Sequence, residues 1–364
     1  MSSRIKCQEK KIMLFFELLQ VTLGNRERLS RVPSAEEWAD IFSESKRQAV
    51  TGILIHGIDR LPMNQRPSRT LLIQWIGVGQ MIEKRNDLLN GRSRELLSDM
   101  ASAGLHPTIL KGQGIAQYYP NEIKDLRQSG DIDVYISEGR KRAIAYTQSK
   151  GQKNIDWDYK HLQLKVWDDV EVEMHYRVEV LMNLLKNRKL QAWFENHKEQ
   201  MFGERNDFVT PTKEFNVFYI LLHIYRHFLY EGVGLRQIVD YYYCLRTIQV
   251  SGSNIQEYVA AVREFGMEKF AKGLMWVMHE VLWLPREWML WEADEKEGKY
   301  ILKQVMTGGN FGHHDKRLKH TGSKLGEVKA ILTHNLHLIT HYPMDTLWSP
   351  VWIVWHKMWK LSTV

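Results

Sequence analysis

Ser129-Gly130-Asp131-Ile132-Asp133-Val134-Tyr135-Ile136 places two carboxylates one residue apart in a segment that otherwise reads as a buried strand. Side chains alternate across a strand, so Asp131 and Asp133 project from one face while Ile132, Val134 and Ile136 face the core. Like charges held that close repel. A cation between them removes the repulsion, and hard oxygen ligands of this kind suit Mg²⁺ or Mn²⁺. An exposed edge strand with two solvated acids is the alternative that the pattern alone leaves open.

Upstream, Thr108-Ile109-Leu110 followed by Lys111-Gly112-Gln113-Gly114 reads as a short apolar strand turning through glycines into a helix, Ile115 to Tyr119, ended by Pro120. Free backbone N–H groups at a helix start attract anions, and glycine lets a phosphate approach the main chain. Downstream, His161 to Trp167 and Val170 to Tyr176 form two alternating runs around Asp168-Asp169, the pattern of a hairpin. In the second run Glu171, Glu173 and His175 share one face. If that strand pairs beside the Asp131 strand, a third carboxylate joins the other two, as two-metal phosphoryl transfer requires. A half-solvated hairpin with its acids facing water is the other reading.

These pieces together resemble the nucleotidyltransferase superfamily, with its Gly-rich strand-to-helix turn, its D-h-D strand and a later strand carrying a third acid. The resemblance is to an uncharacterised bacterial nucleotidyltransferase-like family with an L-K-G turn, an R-x-x-G-D-I-D segment and an E-h-H strand. Here those are Leu110-Lys111-Gly112, Arg127 through Asp133, and Glu173-Met174-His175. Gly234-Leu235-Arg236-Gln237-Ile238-Val239-Asp240 and Gly309-Asn310-Phe311-Gly312 are similar to later pieces of that family. Two differences stand out: Gln113 follows the first glycine of the turn where the superfamily usually has Gly or Ser, and the interval from Gly112 to Asp131 is longer than the common pattern.

The resemblance implies a metal-dependent transferase that moves a nucleotidyl group from an NTP such as ATP to an acceptor the sequence does not identify. Asp131, Asp133 and Glu173 are its expected catalytic and Mg²⁺ or Mn²⁺ ligands, Glu173 being chosen over Glu171 because it matches E-h-H. Lys111, Gly112, Gln113, Arg127 and Gly130 are the expected nucleotide contacts. His175 is an expected orienting group. A noncatalytic nucleotide- or partner-binding protein that retains the fold is the alternative.

The 364 residues suffice for two or three domains with substantial cores. With 44% hydrophobic and 26% charged residues the composition argues against disorder. Only Cys7 and Cys244 occur, far apart in sequence, so neither a disulfide framework nor a Cys-rich zinc site is indicated, and a reducing cytoplasm fits. A net charge of +7 favours anionic partners, nucleotides or RNA, but no base-reading module is recognisable. No stretch is long and apolar enough for a membrane span. Lys10-Lys11 and the apolar run Ile12 to Phe16 read as an amphipathic helix because Glu17 and Gln20 interrupt the run. Neither a nucleophile elbow nor a P-loop is present.

The expected fold class is α+β: a small mixed sheet flanked by helical regions, with an N-terminal helical region over 1–104, a catalytic core over 105–186 and a C-terminal helical domain over 187–364. Ser34 and Glu37 form a capping box that opens a helix through Arg47, and Leu71 to Met100 is helical with glycine interruptions. Arg140 to Lys150 is the middle helix of the core. Further helices are expected at Phe215–Tyr230, Leu235–Thr247, Ile255–Phe265, Lys269–Leu282 and Glu327–His341. His223 and His227, four apart, read as packing residues more than as a zinc site. His313-His314-Asp315 reads as a solvated loop or a lid. Trp348, Trp352, Trp355 and Trp359 form one face of a terminal helix, suited to the protein's own core or to a membrane interface.

Overall fold

The computed structural model describes residues 3–363 apart from 206, 253 and 313–336. The expected lid at His313-His314-Asp315 and most of the expected helix from Glu327 lie outside the described residues. Four helices come first: α1 (Ser3–Thr22), α2 (Ala35–Arg47), α3 (Thr51–Arg60) and α4 (Arg69–Ser102). Ser34 accepts from the Glu37 N–H while Glu37 accepts from the Ser34 N–H, so the capping box at the start of α2 is complete. α4 runs unbroken for 34 residues, about 50 Å at helical rise. Its glycines do not interrupt it. Gly79 instead lies so close to α3 that a Cβ there would stand 2.4 Å from Ile55 Cδ1.

The mixed layer follows: β1 (Pro107–Leu110), α5 (Gly112–Ala116), β2 (Ile132–Ile136), α6 (Gly139–Ser149), β3 (His161–Gln163) and β4 (Val172–His175). The order across the sheet is β1-β2-β4-β3, with β2 and β4 parallel and both edges antiparallel. The expected hairpin therefore forms, with shorter strands than its alternating runs. α5 begins at Gly112, three residues before the expected start, so the glycines make the first helical turn and do not precede it.

Beyond the sheet lie α7 (Leu184–Asn196), the two-residue strands β5 (Glu204–Arg205) and β6 (Val209–Thr210), then α8 (Lys213–Tyr230), α9 (Leu235–Ser251), α10 (Gln256–Glu264), α11 (Glu268–Leu282), α12 (Glu295–Gly308) and α13 (Pro343–Ser362). No helix among the described residues is long and apolar enough to cross a membrane. α7 and α12 were not anticipated. Seven of the 13 residues of α7 are polar, which dilutes its apolar stripe.

Two apolar clusters hold the molecule together. The larger joins α1 to α3, the first part of α4, and the helices from α7 to α12 in one continuous core, so the first and last thirds of the chain pack against each other. Gln20 Nε2 on α1 donates to the Val281 carbonyl of α11 at 2.9 Å within it. The smaller lies between one sheet face (Ile109, Ile132, Val134, Leu162, Val172, Met174) and the far half of α4 with α6. The opposite sheet face turns toward α8 and carries the polar residues.

Two segments distant in sequence meet at Gly234, just before α9. A Cβ there would stand 2.8 Å from Asn310 Cα and 3.1 Å from Asn310 N, so backbone, not a flexible side chain, blocks it. Gln48 Oε1 accepts from the next N–H, that of Leu235, at 3.0 Å. Gly234→Ala is expected to cost about 1–3 kcal/mol through overpacking, read as a lower denaturant midpoint with unchanged slope.

Candidate active site

The face of β2 and β4 away from the small core presents Asp133, Glu173 and His175. Parallel pairing sets Asp133 opposite Glu173 and Tyr135 opposite His175. Asp131 immediately precedes β2, where the Ile132 N–H donates to the Glu171 carbonyl at 3.0 Å. One carboxylate oxygen from each of Asp131, Asp133 and Glu173 lies within 4.8 Å of the others. Glu171 precedes β4, is exposed, and stands outside this group.

The two aspartates live in different surroundings. Asp133 is buried; its Oδ1 lies 2.7 Å from Lys111 Nζ and 2.8 Å from His175 Nε2. Burial alone would raise its pKa, but the Lys111 ammonium and the His175 hydrogen bond hold its carboxyl well below the usual range. Asp131 is half-buried. Burial first, and then the charge of Asp133, push it up to about 6. Glu173 is drawn down to about 2: burial opposes ionisation, and the His175 hydrogen bond overcomes it. The three acids can therefore be two firmly ionised carboxylates and one on the edge of protonation, a set that a divalent cation would complete.

Lys111 reaches Asp133 from a strained backbone, at φ 47° and ψ −139°. Positive φ is uncommon in a residue other than glycine and costs strain that the surrounding structure must hold. Gly112 follows at φ 23°. Gly114 is required for another reason, since a Cβ there would stand 3.0 Å from the Ile109 carbonyl and 3.1 Å from Thr210 Cγ2. Gln113 does not line the cavity. Its side chain is buried and neither amide atom has a hydrogen-bond partner. Orphaned buried polar groups are costly, so Gln113→Met is expected to raise stability by about 1–3 kcal/mol, as an increased denaturant midpoint would show.

Arg127 is almost fully buried and grips Asp240 of α9 with two bonds of 2.7 Å, Nε to Oδ1 and a terminal nitrogen to Oδ2. Tyr119 donates to the same Oδ1 at 2.7 Å, and Arg127 Nη1 donates to Ser129 Oγ at 2.8 Å. The loop that delivers Asp131 is tied from three sides. Asn86 of α4 donates to the Asp125 and Arg127 carbonyls at 2.6 and 2.8 Å, Arg85 to that of Gly130 at 3.0 Å, and Arg236 of α9 to that of Gln128 at 2.6 Å. Thus Arg127 and Gly130 both line the cavity, while the Arg127 fork is engaged by the protein itself.

The acids open into a cavity of about 380 Å³ whose far wall is α8, within the range of small-molecule sites. Sequence reasoning missed that wall. Glu179, fully buried, lies 3.1 Å from His223 Nδ1, 3.1 Å from Arg226 Nε and 3.4 Å from Lys160 Nζ. Glu231 meets Arg226 Nη1 at 3.0 Å and His227 Nδ1 at 2.6 Å. His223 and His227 are accordingly buried, each paired with its own glutamate, as packing residues would be. The signal available in the sequence was Glu179, a charge four residues beyond the E-h-H strand in an apolar stretch. At the mouth, Trp352, Trp355 and Trp359 of α13 surround the Tyr159 ring with centroids 5.4, 5.2 and 4.9 Å away. The Trp face is thus spent on the protein's own surface.

A family model described as uncharacterised nucleotidyltransferase matches residues 34–283. The chain belongs to that family. No curated protein and no solved structure matches it. The segment matched in this nucleotidyltransferase begins at the cap of α2 and ends one residue past α11, so it takes in the sheet, the cavity wall of α8 and the Asp240 anchor of α9. Membership of the family makes the chain a nucleotidyltransferase by class.

Proposed function

We propose that this nucleotidyltransferase moves a nucleotidyl group from an NTP to an acceptor nucleophile, with Asp131, Asp133 and Glu173 holding Mg²⁺ or Mn²⁺. The observation that carries the reading is the convergence of three carboxylate oxygens within 4.8 Å on one wall of the cavity. A divalent ion bound there supplies Lewis-acid stabilisation of the attacking and leaving oxygens. Lys111, and across the cavity Lys160 and Arg226, offer cationic partners for the triphosphate, and Gly112 leaves the turn open to close approach of phosphate. The nucleotide contact of Gln113 is through its backbone N–H, since its side chain faces inward. Arg127 acts through placement of the Ser129–Asp131 loop. Cys244, a buried free thiol, accords with a reducing cytoplasm.

One observation favours a noncatalytic nucleotide binder: Lys111 already neutralises Asp133 at 2.7 Å. Titration with each labelled NTP in Mg²⁺ or Mn²⁺, followed by a search for labelled product in a cell extract, separates the two. Binding without product in any extract supports the binder; no binding with any NTP sinks both. Gly112→Val is expected to weaken NTP binding at least tenfold by crowding the turn, with Mn²⁺ binding kept. Lys111→Ala is expected to act more mildly and to lose its effect as salt is raised.

A further inference from the structure

The polar face of the sheet does not stop at the carboxylates. β3 pairs with β4 so that His161 lies directly opposite His175 and Gln163 opposite Glu173, which puts His161, Glu173 and His175 on one face as a cross-strand pair and its diagonal neighbour. Their ligand atoms converge. His161 Nδ1 stands 3.6 Å and His175 Nε2 3.4 Å from the same oxygen, Oε2 of Glu173, and one donor atom from each residue lies within 4.8 Å of the others. His161 Nδ1 is buried and makes no hydrogen bond.

We propose that His161, Glu173 and His175 form a second metal position beside the Asp131–Asp133 pair, one that takes Zn²⁺, Co²⁺ or Fe²⁺ in preference to Mg²⁺. Two imidazoles and one carboxylate are a donor set that suits such ions and leaves a coordination position open, whereas Mg²⁺ seeks oxygen. An ion bound at His175 Nε2 takes the place of the proton now shared with Asp133, and Asp133 keeps Lys111 as its partner. Asp158 Oδ2 lies 3.9 Å from His161 Nε2, on the side from which an outer carboxylate orients a metal-bound imidazole. The inference shares Glu173 with the site of the proposed function and otherwise uses different residues.

The test is zinc X-ray absorption on the full chain loaded with one equivalent of Zn²⁺ in excess Mg²⁺, together with Zn²⁺ and Mn²⁺ affinities by competition. Wild type should show scattering from two imidazoles. His161→Ala should show one, with Zn²⁺ affinity lower by at least about tenfold and Mn²⁺ affinity within about twofold. His175→Asn should remove the other imidazole; because His175 is fully buried, its fold is checked by circular dichroism, and if it fails the half-buried His161 carries the test alone. No imidazole scattering in wild type, or equal Zn²⁺ affinity in His161→Ala, overturns the proposal. A chain that binds zinc through two imidazoles but binds no NTP refutes the nucleotidyl-transfer reading and leaves this one standing.

Discussion

Asp131→Asn is expected to abolish nucleotidyl transfer and to make the protein more stable at about pH 8, whereas Asp133→Asn is expected to abolish transfer and make it less stable. If these carboxylates hold the metal as proposed, loss of either should lower turnover by roughly 10²–10³-fold or more. The stability effects differ because the surroundings differ. Asp131 titrates near 6 in the folded protein, above its ordinary 3.8, so the folded state takes up a proton between those values and stability falls as pH rises through them. Above that window its charge is a burden. Removing it is worth about 1–2 kcal/mol, after allowance for partial solvent access, and the gain vanishes toward about pH 4. Asp133 has the opposite sign: its depressed pKa contributes stability above the ordinary carboxylate value, lost as pH falls through the folded one. Its loss leaves Lys111 and His175 uncompensated, at about 3–5 kcal/mol. Urea unfolding of both variants at two pH values checks the signs, and unchanged transfer in both would refute the assignment of the site.

Asp240→Ala should be as damaging to the fold as any single change in the molecule. It strands the buried guanidinium of Arg127 and removes the acceptor of Tyr119, for an expected loss of about 3–5 kcal/mol. Arg127→Met with Asp240→Leu removes both charges together and should recover much of that stability. Transfer should not recover with it, because Ser129 and Asp131 then lose their tether. A double variant with full activity would show that the loop needs no anchor.

The polar face of the sheet was legible because it is local. A two-residue period over Asp131–Ile136 and Val170–Tyr176 gives the facing of each side chain, and the antiparallel partner of Glu173 is only ten residues away at Gln163. What the sequence could not display were pairings between distant segments, such as Arg127 with Asp240 or Gly234 with Asn310, which leave no local periodicity. Yet the residues were visible as motif positions. In the Gly234–Asp240 segment the glycine accommodates Asn310, Arg236 holds the Gln128 carbonyl and Asp240 holds Arg127. The start of α5 was misplaced because glycine at a first helical turn is indistinguishable from glycine in the loop before it.

The anchoring of the 127–131 loop by α4 and α9 also sets a limit on engineering. A minimised version keeping only residues 105–186 would retain every carboxylate and histidine of the polar face, yet leave behind Asn86, Arg236 and Asp240. Such a fragment, or a graft of it onto a foreign scaffold, would carry the polar side chains without the frame that spaces them. A portable version needs the segment from α4 through α9 as a unit.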